Sequence, residues 1–111
     1  MSYDEDLAGQ VRAAIGPEAG LSEKKMFGGL AFLIAGNMAV VVSHRGGIMI
    51  RVDPQTAEEL LADPAVEQVE RGGTPMRGLL FVSAEHLAGE EDAARWAGVA
   101  VAYARGLPAK G

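Results

Sequence analysis

The chain holds two histidines, His44 and His86, and no cysteine. A metal site would therefore need both imidazoles together with carboxylates such as Glu85 or Glu90. Neither histidine has the H-E-x-x-H or H-x-H spacing that sets two ligands side by side. Both read as solvated, His44 in a turn and His86 near a helix start. Ser43-His44 is not a nucleophile–base pair, because neighbours on a strand point to opposite faces, and no G-x-S-x-G elbow occurs. Glu58-Glu59 and Glu90-Glu91 read as helix faces and partners of a helix N-terminus. Gly28-Gly29 lacks the strand-to-helix setting, the extra glycines and the Lys-Ser/Thr of a phosphate loop. These glycines precede a strand and read as a bend or bulge entering a sheet. The residues imply no catalytic group, no metal and no cofactor.

Charge order is the feature with functional content. Residues 24–52 carry Lys24, Lys25, Arg45 and Arg51 and no acid, whereas residues 53–70 carry six acids and no base. Arg71 and Arg77 follow, on either side of Pro75-Met76. Lys24, Lys25, Arg45, Arg71 and Arg77 are therefore a candidate positive rim for an acidic protein partner. The alternative is a solvated rim that balances the acidic helix.

The elements that would position these residues fit one domain, 1–111. Hydrophobic residues make up 49% and charged residues 23% of the 111, too apolar for disorder and long enough for one core. Ten cations against fifteen anions give a net charge of −5, which disfavours a general grip on nucleic acid. The absence of cysteine excludes disulfides, thiolate metal sites and cysteine nucleophiles. The N-terminus MSYDEDLAGQ is acidic where a signal peptide is basic. The longest apolar stretch, Leu30 to Val42, breaks at Gly36-Asn37 and falls short of the ~20 residues a membrane span needs. A cytoplasmic protein without membrane contact is expected, and the preference for Ala, Gly and Arg over Lys points to a GC-rich bacterial genome.

Ser2 and Glu5 have capping-box spacing, and Leu7, Val11, Ala14 and Ile15 follow at helical spacing up to Gly16-Pro17. Strands are expected at Leu30–Ala35, Met38–Ser43 and Ile48–Val52, the first two joined by a Gly36-Asn37 turn. Asp53-Pro54 opens a short helix anchored by Leu60 and Leu61. Val66–Glu70 reads as a charged edge strand, Arg71–Gly78 as a loop and Leu79–Val82 as a buried strand. Ser83 caps a brief turn. A last helix runs from about Glu90 to Arg105, with Trp96, Val99, Ala100 and Tyr103 as its apolar stripe. The resulting order is α-β(3)-α-β(2)-α, an α+β fold of two layers with a five-stranded antiparallel sheet.

With a Gly36-Asn37 turn, one face of the hairpin would hold Ala35/Met38, Leu33/Val40 and Ala31/Val42. The other would hold Ile34/Ala39, Phe32/Val41 and Leu30/Ser43. Both faces are apolar, whereas a sheet covered on one side alternates apolar with polar. Either the helices of the chain cover both faces, or one face, with Phe32, Ile34 and Val41, is a homodimer interface, or another partner or a ligand buries it.

The run KKMFGGLAFLIAGNMAVVV, Arg51-Val52-Asp53 at the end of the third strand and the loop GGTPMRGLLFV resemble, in this order, the N-terminal domain of the TfoX/Sxy family. The resemblance spans nearly the whole chain and rests on Met26, Phe27, Gly28, Gly29, Arg51, Pro75 and Met76. It implies the same α-β(3)-α-β(2)-α order in a secretion-chaperone-like fold, and it implies that Met26 and Met76 pack near each other. Regulators of natural competence in this family carry a further helical C-terminal domain. This chain stops at Gly111, so the resemblance is to the N-terminal domain standing alone. The expected function is a non-enzymatic regulatory or protein-interaction accessory domain, homodimeric, docking an unknown protein partner. A nucleic-acid-associated transcription or competence regulator is the alternative, and a small-ligand-binding domain is a third reading.

Overall fold

The computed structural model describes residues 3–26 and 28–109. Helix α1 spans Glu5–Ile15. Its cap is Asp4, whose carboxylate accepts from the amides of Asp6 and Leu7 at 2.9 and 3.1 Å. Glu5 and Asp6 occupy the first turn, where the helix dipole favours acids. Asp4 thus fills the role expected of Ser2, which lies outside the described residues. Gly16 ends the helix at φ 68°, a backbone conformation that favours glycine.

Six strands follow: β1 (Leu21–Met26), β2 (Gly29–Ile34), β3 (Asn37–Ser43), β4 (Gly47–Arg51), then, after helix α2 (Pro54–Leu60), β5 (Val66–Arg71) and β6 (Thr74–Ser83). A 3₁₀ turn at Ala84–His86 leads to helix α3 (Glu90–Arg105). The strands form one antiparallel sheet in the order β1-β2-β3-β4-β6-β5. The order along the chain is therefore α-β(4)-α-β(2)-α, and six strands replace the expected five. The additional strand, LSEKKM, has its four middle residues exposed. It carries no apolar alternation and is held by its ladder to β2. Strand β6 begins at Thr74 rather than Leu79, because the segment expected to be a loop forms the outer part of a β5–β6 hairpin.

The β2–β3 turn also differs from the expectation. Ile34 pairs with Asn37, so the turn residues are Ala35 and Gly36, at φ 50° and 83°. Positive φ at both positions suits a two-residue hairpin turn. Asn37 is instead buried, and its side-chain amide donates to the carbonyl of Pro108 at 2.9 Å. The register then shifts between Phe32 and Leu33, with Phe32 opposite Val40 and Leu33 opposite Met38. Ala39 is the extra residue of a bulge.

Residues directly opposite in a sheet share a face. The row Lys25, Leu30, Val42, Ile48, Val82 and Val66 runs across all six strands, and its five apolar members are buried in the core. The same core takes Leu7, Ala8 and Val11 from α1, Ala57 from α2, and Trp96, Ala97, Ala100, Val101 and Ala104 from α3. All three helices therefore lie on one face. The chain does not cover both faces with its own helices.

The bulge and the shifted turn also split the trio expected on a dimer face. Phe32 and Ile34 lie in the helix-covered core, while Val41, also buried, belongs to the opposite face, paired with Ala31 and Met49.

Two ion pairs fasten the helices, one to strand β1 and one to the segment between α1 and β1. Arg12 of α1 donates from Nε to Glu23 of β1 at 2.6 Å. Arg105 of α3 donates from Nε to Glu18 at 3.1 Å. Hydrogen bonding to these guanidinium groups holds both carboxyls below the ordinary glutamate value. No helix among the described residues is long and apolar enough to cross a membrane.

Candidate functional site

The uncovered face is built from the residues that alternate with the core set. In β4, Ile48 and Ile50 are buried while Met49 is half-buried on the other side. In β6, Leu80 and Val82 are buried while Leu79 and Phe81 are half-buried. With Met38 of β3, these four side chains floor a groove of about 660 Å³. The β5–β6 hairpin supplies one wall through Gln68, Glu70, Arg71 and Met76, and the β3–β4 turn contributes His44 and Arg45. The Arg45 guanidinium sits 5.6 Å from the centroid of the Phe81 ring, a cation–π distance. Among the described residues, Met76 is the large apolar side chain most open to solvent, at 38%.

Gln68 braces the hairpin wall. Its Nε2 lies 2.9 Å from the carbonyl oxygen of Val69, 2.8 Å from that of Met76 and 3.2 Å from that of Leu79. One amide thereby satisfies backbone acceptors around the register shift between Gln68 and Glu70. Sequence reasoning missed this residue and the groove floor. The signal was present for the floor, since Met49, Leu79 and Phe81 alternate with core residues.

The structure brings only part of the expected rim together. Arg45 and Arg71 line the groove, but Glu67 and Glu70 line it too, so its border carries both signs. Arg77 lies 3.9 Å from Glu58 of α2. Lys24 and Lys25 are exposed on β1, at the far edge of the sheet, and point to opposite faces as strand neighbours must.

The motif residues serve the fold. Met26 pairs with Gly29 across the β1–β2 turn, and Phe27 lies outside the described residues. A Cβ on Gly29 would stand 2.1 Å from the Val42 carbonyl oxygen, and one on Gly28 would stand 2.8 Å from Nδ1 of His44. These glycines let the turn lie close against β3 and the following turn. Arg51 ends β4 with its guanidinium 5.9 Å from the Tyr103 ring centroid. Pro75 and Met76 sit in the exposed hairpin, in β6 next to the β5 edge, while Met26 is in β1 at the opposite edge. The two methionines therefore do not pack together.

Among the described residues, the polar groups singled out above do not come together as a reacting set. The Ser43 hydroxyl accepts from the Arg45 amide at 3.0 Å. His86 is 3.6 Å from Glu85 on an exposed turn. Among the described residues, no three of His, Asp and Glu gather where they would hold a metal ion. What the site offers is an apolar, methionine-rich contact surface with charged borders, suited to a protein.

Comparison with curated proteins gives no match. Residues 13–104 match the TfoX N-terminal domain, a span that takes in α1 from Ala13 through the sheet to Ala104 of α3. The chain belongs to the TfoX N-terminal domain family, whose members are competence-related regulatory domains.

Proposed function

We propose that this chain is a non-catalytic regulatory domain of the cytoplasm that works by protein contact, and that the uncovered sheet face joins two copies into a homodimer. The observation that carries this reading is the apolar character of that face. Leu33, Met38, Met49, Leu79 and Phe81 on it are only half-buried in the single chain, and no helix covers them; Ala31 and Val41 on the same face are fully buried. Removing apolar surface from water contributes roughly 25 cal/mol per Å², so a second apolar surface gains by covering it.

The sheet edges are poor alternatives. Strand β1 presents Glu23, Lys24 and Lys25, and β5 presents Glu67, Glu70 and Arg71, all exposed. Charges of this kind blunt edge-to-edge pairing. The mixed signs around the groove also weaken the case for docking a uniformly acidic partner.

Light scattering on the wild type and on Met49→Asp, from micromolar to millimolar concentration, tests the reading. The wild type is expected to have the mass of a dimer and the variant that of a monomer with unchanged circular dichroism. A wild type that stays monomeric throughout, or a folded variant that dimerises normally, would overturn it.

A further inference from the structure

The apolar side chains that a second copy can reach are concentrated around the groove. Ala31 and Val41, toward β2, are fully buried. Met38 of β3, Met49 of β4, and Leu79 and Phe81 of β6 are half-buried, and Met76 of the β5–β6 hairpin is exposed. All five line the groove. The groove is also lopsided. The hairpin walls one side and runs on past the last β4–β6 pair, Arg51 with Leu79. On the other side the lining is Met38, with Ser43, His44 and Arg45 at the β3–β4 turn. Arg45, Glu67, Glu70 and Arg71 line it as well, two charges of each sign. Among the described residues, none of these four makes an ion pair within its own chain. A surface with both signs left unpaired is able to complement itself.

A face-to-face homodimer has a two-fold axis lying between the sheets, and the contact is isologous. An axis across the strands keeps both hairpin walls on the same side, one over the other, and leaves the β3 side of both grooves open. An axis parallel to the strands, passing between β4 and β6, does the reverse. It sets β4 against β6 of the second copy and brings β5 of the second copy over β3. Each hairpin then stands on the side that the other copy leaves low.

Resting on the homodimer reading above, we infer that the occupant of the groove is the β5–β6 hairpin of a second copy, exchanged reciprocally about this axis, so that each groove is completed by the other chain. Met49 faces Phe81 of the second copy, a sulfur–aromatic contact between two half-buried side chains. Met76 of the second copy comes toward Met38, and Glu67 of the second copy comes to the side where Arg45 stands. Neither Ala31 nor Val41 supplies contact area. Packed sheets cross at about 30°, a rotation that moves the contacts nearest the axis least, and those are Met49 and Phe81.

The exchange is tested separately from dimerisation by cross-linking. The chain has no cysteine, so introduced thiols report without background. Packed sheets stand about 10 Å apart, beyond the reach of a disulfide, so a bis-maleimide of about that length is used. Arg45→Cys and Glu67→Cys are prepared separately, and each is treated alone and after mixing. The mixture is expected to give severalfold more linked dimer than either variant alone. Met76→Asp, measured by sedimentation, is expected to raise the dimer dissociation constant about tenfold. All three positions are exposed, so the variants are expected to fold, which circular dichroism checks. A mixture that links no better than its separate components, or a Met76→Asp variant that associates like the wild type, would overturn the exchange and leave the homodimer reading standing. A wild type that is monomeric at every concentration would overturn both.

Discussion

Asn37 donates from Nδ2 to the carbonyl oxygen of Pro108, 2.9 Å away and 71 residues along the chain. The bond pins the segment after α3 to the first residue of β3, and it uses a side chain that the sequence offered to a turn. Because Asn37 is buried, losing the bond costs about 1–3 kcal/mol. Asn37→Ala is expected to lower the urea midpoint accordingly, with no change in association. An unchanged midpoint would mean that the tail contributes nothing to the fold.

Two glycines should respond in opposite directions to alanine. At Gly29 a Cβ would stand 2.1 Å from the Val42 carbonyl oxygen, so Gly29→Ala must push β2 away from β3, at a cost of roughly 1–3 kcal/mol or more. Gly98 lies within α3 with nothing within 4 Å of the added carbon. Gly98→Ala is expected to raise stability by roughly 0.5–1 kcal/mol through helix propensity. Thermal melts of the two variants give the comparison.

The acid limb of stability should depend on Glu18 and Glu23. Both have folded-state pKa values below the ordinary one, through hydrogen bonds to Arg105 and Arg12. Their contribution is therefore complete above the ordinary glutamate range and is lost as pH falls through the depressed values. The arginine partners are largely solvent-exposed, so the effect is modest and weakens with salt. In the Glu18→Gln/Glu23→Gln variant the melting temperature should fall less steeply with acid than in the wild type. Parallel curves would count against these pairs.

Gln68 should control the order of the hairpin wall. Gln68→Leu removes the amide shared by the carbonyls of Val69, Met76 and Leu79. Amide hydrogen exchange is expected to accelerate across residues 74–79 and to stay unchanged in α3. Equal exchange in both proteins would show that the strand ladder alone holds the hairpin.

Much of this fold was legible wherever burial wrote a period into the sequence. Ile48, Ile50 and Val52 alternate, and Trp96 and Ala100 recur at helical spacing, because each faces one core. Strand β1 left no such mark: Ser22 to Lys25 are exposed, and their strand conformation comes from pairing with β2. The Gly36-Asn37 signal was displaced by one residue because Ala35 accepts a positive φ and Asn37 is used in the bond to Pro108. That shift, with the bulge at Ala39, moved Phe32 and Ile34 into the core and left Val41, also buried, on the opposite face. The two apolar faces were readable from composition, but which residues shared each face was set by a bulge that has no local signature. Met76 and Arg71 were singled out by the sequence, and their meeting with Met49 and Phe81 in one groove depends on the long-range order β4-β6-β5.

A homodimer closed over the uncovered face keeps water from the centre of that face. The Met49 methyl group reports this directly, through its relaxation by a soluble paramagnetic chelate in a methionine-labelled sample. If two copies close over the face, Met49 should be shielded at millimolar concentration and become accessible on dilution to the monomer. Equal and strong relaxation of Met49 at every concentration would contradict the account.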